Sequence, residues 1–118
     1  MRKTAIVALF ALLFGLSAAP TPVRGVSAEG DAASVRIADS EFRPQQITVK
    51  AGATVTWKND GKMAHTVTAD DGSFESPTLG AGKTFSRRFT KPGTYRYHCA
   101  FHGGKGGEGM SGTVVVTR

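Results

Sequence analysis

The sequence predicts an all-β domain, a two-sheet Greek-key sandwich, preceded by a cleavable leader. Beyond residue 28 no stretch sustains a helical period. Short runs rich in Val, Ile, Thr and aromatic residues recur instead between clusters of Gly, Pro, Asn and Asp, which is the punctuation of strands and turns. Their spacing suits two packed sheets.

The chain opens with Arg2 and Lys3, an apolar run from Ala5 to Leu16 and then small residues, the layout of a secretory signal peptide. That run is too short to cross a bilayer comfortably. Cleavage fits after Ala18 or after Ala28. Pro20 and Pro22 make the intervening segment a poor helix, and Val26-Ser27-Ala28 has the small-x-small character a signal peptidase accepts. Residues 1–28 are therefore assigned to the leader and 29–118 to a single domain. Cys99 is the only cysteine and none lies directly behind the apolar run to carry a lipid, so the product is expected to be exported, periplasmic or secreted, without a stable membrane anchor.

Val35 and Ile37 alternate with polar neighbours and define a first strand. Ile47 and Val49 define a second before the Ala51-Gly52 turn, and Val55 and Trp57 a third before Asn59-Asp60-Gly61. His65, Val67 and Ala69 share one face of the next run, which Asp70-Asp71-Gly72 closes. Phe85 and Phe89 indicate another strand, although Arg87 has the same parity and requires an edge, a bulge or exposure. Pro92-Gly93 turns into Thr94–Cys99, and Thr113–Thr117 is a last strand whose consecutive valines suit burial on both faces. Trp57, Phe42, Phe85 and Phe89 are assigned to the core, and Gly103–Gly109 reads as loop.

The whole chain carries a formal charge of +6, but from Glu29 onward twelve Lys and Arg face nine Asp and Glu, a net +3. The basic residues are interleaved with acids and form no nucleic-acid recognition motif, so a solvated surface is the reading. Cys99 is the only cysteine. It cannot form an internal disulfide, and an unpaired thiol in an oxidising compartment is a liability unless it is buried or held by a metal.

Cys99 and His102 are separated by two residues at the end of a strand, Met110 follows a glycine-rich stretch, and His65 lies far upstream. Singly, these would be a satisfied strand histidine, a small buried hydrophobe and a core gap-filler. Together they are the soft and borderline donors that suit copper in both oxidation states, and two His, one Cys and a weak axial Met make up the blue-copper set. Strand parity turns His98 away from a metal held by Cys99. There is no dinucleotide, flavin or haem motif, no Ser-His-Asp set and no carboxylate cluster around a pocket, so an enzyme is not expected.

Ile47-Thr48-Val49-Lys50-Ala51-Gly52 through Val55-Thr56-Trp57-Lys58-Asn59, and Met63-Ala64-His65-Thr66-Val67, resemble the early strands and first ligand site of the cupredoxins. Gly93 to His102, closed by Gly109-Met110-Ser111-Gly112 and the valines, resembles the ligand loop and last strand of their amicyanin and plastocyanin branch. The likeness covers nearly all of the chain beyond the leader. It implies one copper ion on His65, Cys99, His102 and Met110, and single-electron shuttling between a redox donor and acceptor that dock near His102, which would lie at the surface in an apolar patch rimmed by Met63. A monomer is expected, and Lys105 with nearby Arg residues would steer acidic partners.

Two departures stand out. Seven residues separate His102 from Met110, more than in the plastocyanin branch and more again than in amicyanins, and Glu108 is a rival axial donor within that stretch. Thr66 stands where the family often has an Asn that helps to pin the ligand loop, and the sequence leaves open whether its hydroxyl does the same work or none. The alternative function is an exported copper chaperone or buffer without electron transfer, although only three Met occur, fewer than open exchange sites generally use.

Overall fold

The computed structural model describes residues 32–118, and the expected leader and its cleavage point lie outside the described residues. Eight strands follow in order: β1 (Ala32–Ile37), β2 (Phe42–Arg43), β3 (Gln46–Lys50), β4 (Ala53–Asn59), β5 (Thr68–Ala69), β6 (Thr84–Phe89), β7 (Gly93–Gly104) and β8 (Glu108–Thr117). They form two four-stranded sheets, ordered β2-β1-β4-β6 and β3-β8-β7-β5. β1 runs parallel to β4, with Val35 opposite Trp57, and β4 runs antiparallel to β6, with Trp57 opposite Phe85. In the other sheet β3 runs parallel to β8, and β7 lies antiparallel between β8 and β5. The expected two-sheet sandwich is present.

Alternation builds the core. Along β4, Ala53, Val55, Trp57 and Asn59 all point inward and are buried, and Val35 and Ile37 do the same on β1. Trp57 has no exposed surface and meets Tyr97 of the opposite sheet edge-on, with ring centroids 5.4 Å apart. Phe42 closes on Tyr97 at 4.7 Å, and Phe85 and Phe89 flank the indole at 5.9 and 6.4 Å. The Trp57–Tyr97 and Phe42–Tyr97 contacts join the two sheets face to face.

Four details differ from the sequence reading. The run from His65 to Ala69 contributes only a two-residue strand at Thr68–Ala69, because His65 is bridged to Leu79 instead of to a neighbouring strand. Phe42–Arg43 forms a short strand of its own on β1. Val114 and Val116 are buried, whereas Val115 between them is only half-buried on the outer face. The largest difference is at Gly103–Gly109, which is a β-hairpin in place of a loop: Gly103 pairs with Gly109 and Gly104 with Glu108. Glycine permits this, since a Cβ at Gly103 would press into the Met110 backbone. Arg87 is accommodated on the edge strand β6 by stacking its guanidinium over Phe74 and Phe89, at 5.1 and 5.7 Å.

Candidate metal centre

The β7–β8 register slips between His98 and Gly103. Residues 99–102 therefore leave the regular ladder at one end of the sandwich, which frees Cys99 and His102 to aim at a common point. His65 reaches the same point from the connection between β4 and β5. Its N–H donates to the Leu79 carbonyl at 3.0 Å, and the Leu79 N–H donates back at 2.8 Å. Asn59, fully buried at the end of β4, donates Nδ2 to the carbonyls of Met63 and Leu79 and accepts the Gly61 N–H through Oδ1, at 2.8 to 2.9 Å. One amide thus fixes both sides of the His65 segment. Thr66 links it to the cysteine: the Ala100 N–H donates to Thr66 Oγ1 at 2.8 Å, so a hydroxyl ties the two ligand segments together.

Cys99 Sγ lies 3.7 Å from His65 Nδ1 and 3.4 Å from His102 Nδ1, and the three donor atoms all fall within 4.8 Å of one another. The imidazole centroids are 5.0 Å apart. His65 and Cys99 have no exposed surface, whereas His102 reaches the solvent beside Phe101, which is 56% exposed; Met63 is 47% exposed. A cysteine sulfur between two imidazole nitrogens, with His65 and Cys99 buried and His102 open to solvent, suits a borderline or soft cation better than a hard one. This is the only such cluster of His, Cys, Asp and Glu among the described residues.

Met110 is buried within the core on β8, while Glu108 is exposed on the hairpin. His98 lies outside the donor cluster, with its Nδ1 2.7 Å from Asp70 Oδ1. The other Asp70 oxygen accepts the Gly106 N–H at 2.8 Å. Asp70 thereby ties the tip of the His102–Met110 hairpin to the strand that carries Cys99. Burial pushes its carboxyl upward, but the Gly106 N–H, His98 and the Arg96 charge outweigh that and hold it below the usual carboxylate range.

Asp39, on the turn between β1 and β2, approaches the site from behind: its Oδ1 lies 3.1 Å from His65 Nε2 and accepts the N–H groups of Lys62 and Met63 at 2.9 and 3.0 Å. Those backbone donors, Met63 first and Lys62 next, together with His65 hold its carboxyl down at about 2. Sequence reasoning missed Asp39, Asn59 and Asp70. The rule that a ligating histidine gives its second N–H to a carboxylate or carbonyl says that a partner exists, but nothing in the spacing selects Asp39 among nine acids.

A two-sheet sandwich with two imidazoles and a cysteine sulfur gathered at one end defines the cupredoxin class. The chain belongs to that family, since the family model described as Cupredoxin-like domain matches residues 5–116. It is similar to amicyanin-alpha of Methylorubrum extorquens, with 33% identity over 98% of this chain and 99% of the relative. It is also similar to plastocyanin of Scenedesmus fuscus, with 35% identity over 64% of this chain and 85% of that one. Among solved structures, the purple cupredoxin from Nitrosopumilus maritimus superposes with a TM-score of 0.64 and 28% identity, covering 72% of this chain and 99% of the other. A copper-containing nitrite reductase from Thermus scotoductus gives a TM-score of 0.66 at 26% identity, over 85% of this chain but 25% of the enzyme, so that likeness is to one part of a larger protein. Copper is the cofactor of the family, one ion per site, and His65, Cys99 and His102 are the grouped donors that fit it.

Proposed function

We propose that this protein is an exported, monomeric electron carrier that holds one copper ion through His65, Cys99 and His102, with Met110 as the weak axial donor. The observation that carries the reading is the placement of Cys99 Sγ between two Nδ1 atoms, with Cys99 and His65 buried and only His102 open to solvent. When bound, copper supplies a one-electron Cu(I)/Cu(II) couple at this set of donors. The protein's part is to hold the donors still. His65 is fixed by Asn59, Leu79 and Asp39, Cys99 by the sheet and the Ala100–Thr66 bond, and His102 by the hairpin. A donor set that does not rearrange between oxidation states offers little resistance to gaining or losing an electron. Exposed Phe101 beside His102, with Met63 also exposed, supports a docking face there for a redox partner. Lys105 at the hairpin turn is a further positive charge for steering an acidic partner.

The test is the visible spectrum and voltammetry of the copper-loaded mature protein. Intense thiolate-to-copper absorption with reversible one-electron reduction is the expected result. A colourless protein, or one that surrenders copper to a competing chelator within seconds, would point instead to a chaperone or buffer. Export is checked separately by sequencing the N-terminus of the protein recovered outside the cytoplasm, with cleavage after Ala18 or Ala28 as the expected outcome.

A further inference from the structure

Asp39 stands 26 residues from His65 in the chain and belongs to none of the motifs that mark the copper donors. Its carboxylate nevertheless collects three donors, the Lys62 N–H, the Met63 N–H and His65 Nε2. Oδ1, the oxygen that faces His65 Nε2, already receives both backbone N–H groups and so meets the ring as an acceptor. The proton of a neutral His65 must then sit on Nε2, leaving the lone pair on Nδ1, the atom that faces Cys99 Sγ at 3.7 Å. The ring is set in the ligating tautomer with no metal needed to choose it. The neighbouring chain leaves room for this acid: a Cβ at Gly61 would collide with the Asp39 carboxyl.

We propose that Asp39 is a positioning residue that fixes the tautomer and orientation of His65 before copper arrives and biases the loaded site toward Cu(II). This rests on the copper reading above. A negative partner on the remote nitrogen pushes electron density toward Nδ1 and makes it a stronger donor. The more highly charged ion gains more from that donor than Cu(I) does, so the reduction potential is lowered.

The test uses Asp39→Asn, which keeps the shape and one acceptor oxygen but removes the charge, together with Asp39→Ala. Cu(II) affinity is expected to fall about 10- to 100-fold, the range measured for partners of metal-bound histidines. A tenfold change in preference between Cu(II) and Cu(I) corresponds to about 59 mV, and the potential is expected to rise by at least that much. The second readout needs no copper: nitrogen-15 NMR of the metal-free protein should show His65 protonated on Nε2 in the parent and a mixture of tautomers in Asp39→Ala. Gly61→Ala, which crowds Asp39 without altering it, is expected to reproduce both effects in a chain that keeps every donor. The idea is overturned if metal-free His65 carries its proton on Nδ1, or if Asp39→Asn and Gly61→Ala leave potential and tautomer where they were. Because the tautomer is read without metal, failure of this inference is distinguishable from failure of the electron-carrier reading.

Discussion

Met110 and Glu108 are rivals for the axial position in the sequence, and they differ in burial. Met110 is 3% exposed at the base of β8, within the core cluster, while Glu108 lies two residues away on the exposed part of the hairpin. Met110 would hold bound copper as a weak axial donor, and losing a donor would cost the more highly charged Cu(II) more than Cu(I). Met110→Leu keeps the volume and removes the donor, so the colour should persist while the potential rises, on the order of 60 mV for a tenfold loss of relative Cu(II) preference. Glu108→Ala should leave spectrum and potential unchanged. A reversed pattern, with Glu108→Ala moving the potential and Met110→Leu silent, would transfer the axial role to the carboxylate. Side-chain chemistry made the His65, Cys99 and His102 cluster legible from sequence, because few residue types suit copper. Parity likewise placed His98 on the far side, where it meets Asp70. Thr66 was readable as a position and not as an outcome, since a hydroxyl finds its partner only once Ala100 is beside it.

At the scale of the element, the hairpin between His102 and Met110 is what the sequence left undefined. Five glycines in seven residues read as loop because composition reports conformational freedom and says nothing of what removes it. Continuation of the β7–β8 ladder and the Asp70 carboxylate remove it here. The strands themselves were legible from alternation, as at Val35 and Ile37 or Val55 and Trp57, whereas which strands become neighbours depends on contacts distant in sequence. Asp70→Ala would strand the Gly106 N–H and His98 Nδ1 together. We expect a loss of about 1–3 kcal/mol at neutral pH and faster amide exchange through Gly103–Gly109. The pH dependence has a definite sign. The folded protein holds Asp70 below its ordinary value of 3.8, so its contribution is complete above that value and disappears as pH falls through the folded value. Denaturant titrations of the copper-free proteins at pH 7 and pH 3 should show a parent–variant gap that narrows in acid. A gap that widens toward acid, or hairpin exchange identical in the two proteins, would rule out the carboxylate as the anchor.

For the molecule as a whole, the copper site and the sandwich depend on each other. The described domain has a single buried cysteine and therefore no internal disulfide, and small domains of this kind gain from a metal what others gain from cross-links. Its four proposed donors come from the β4–β5 connection, β7 and β8, so an ion held among them joins segments that unfolding would separate. Anything bound to the folded state alone stabilises it by mass action, about 2.7 kcal/mol at a hundredfold excess over Kd. For a domain of this size each kcal/mol moves Tm by about 4–8 °C. Removing copper with a chelator should thus lower Tm by about 10 °C or more, and adding it back should restore the loss. The core contacts that seat the donors, Trp57 on Tyr97 and Asn59 on the His65 segment, involve no metal, so the copper-free protein should remain folded, with amide exchange raised mainly around residues 61–66 and 99–110. Cys99 has no exposed surface, and its reaction with a thiol reagent should be slow in that state and limited by local opening. Equal melting temperatures with and without copper would show that the ion is not gripped by separate segments at once, and rapid thiol labelling of a folded copper-free protein would show that the scaffold does not hold the site ready for it.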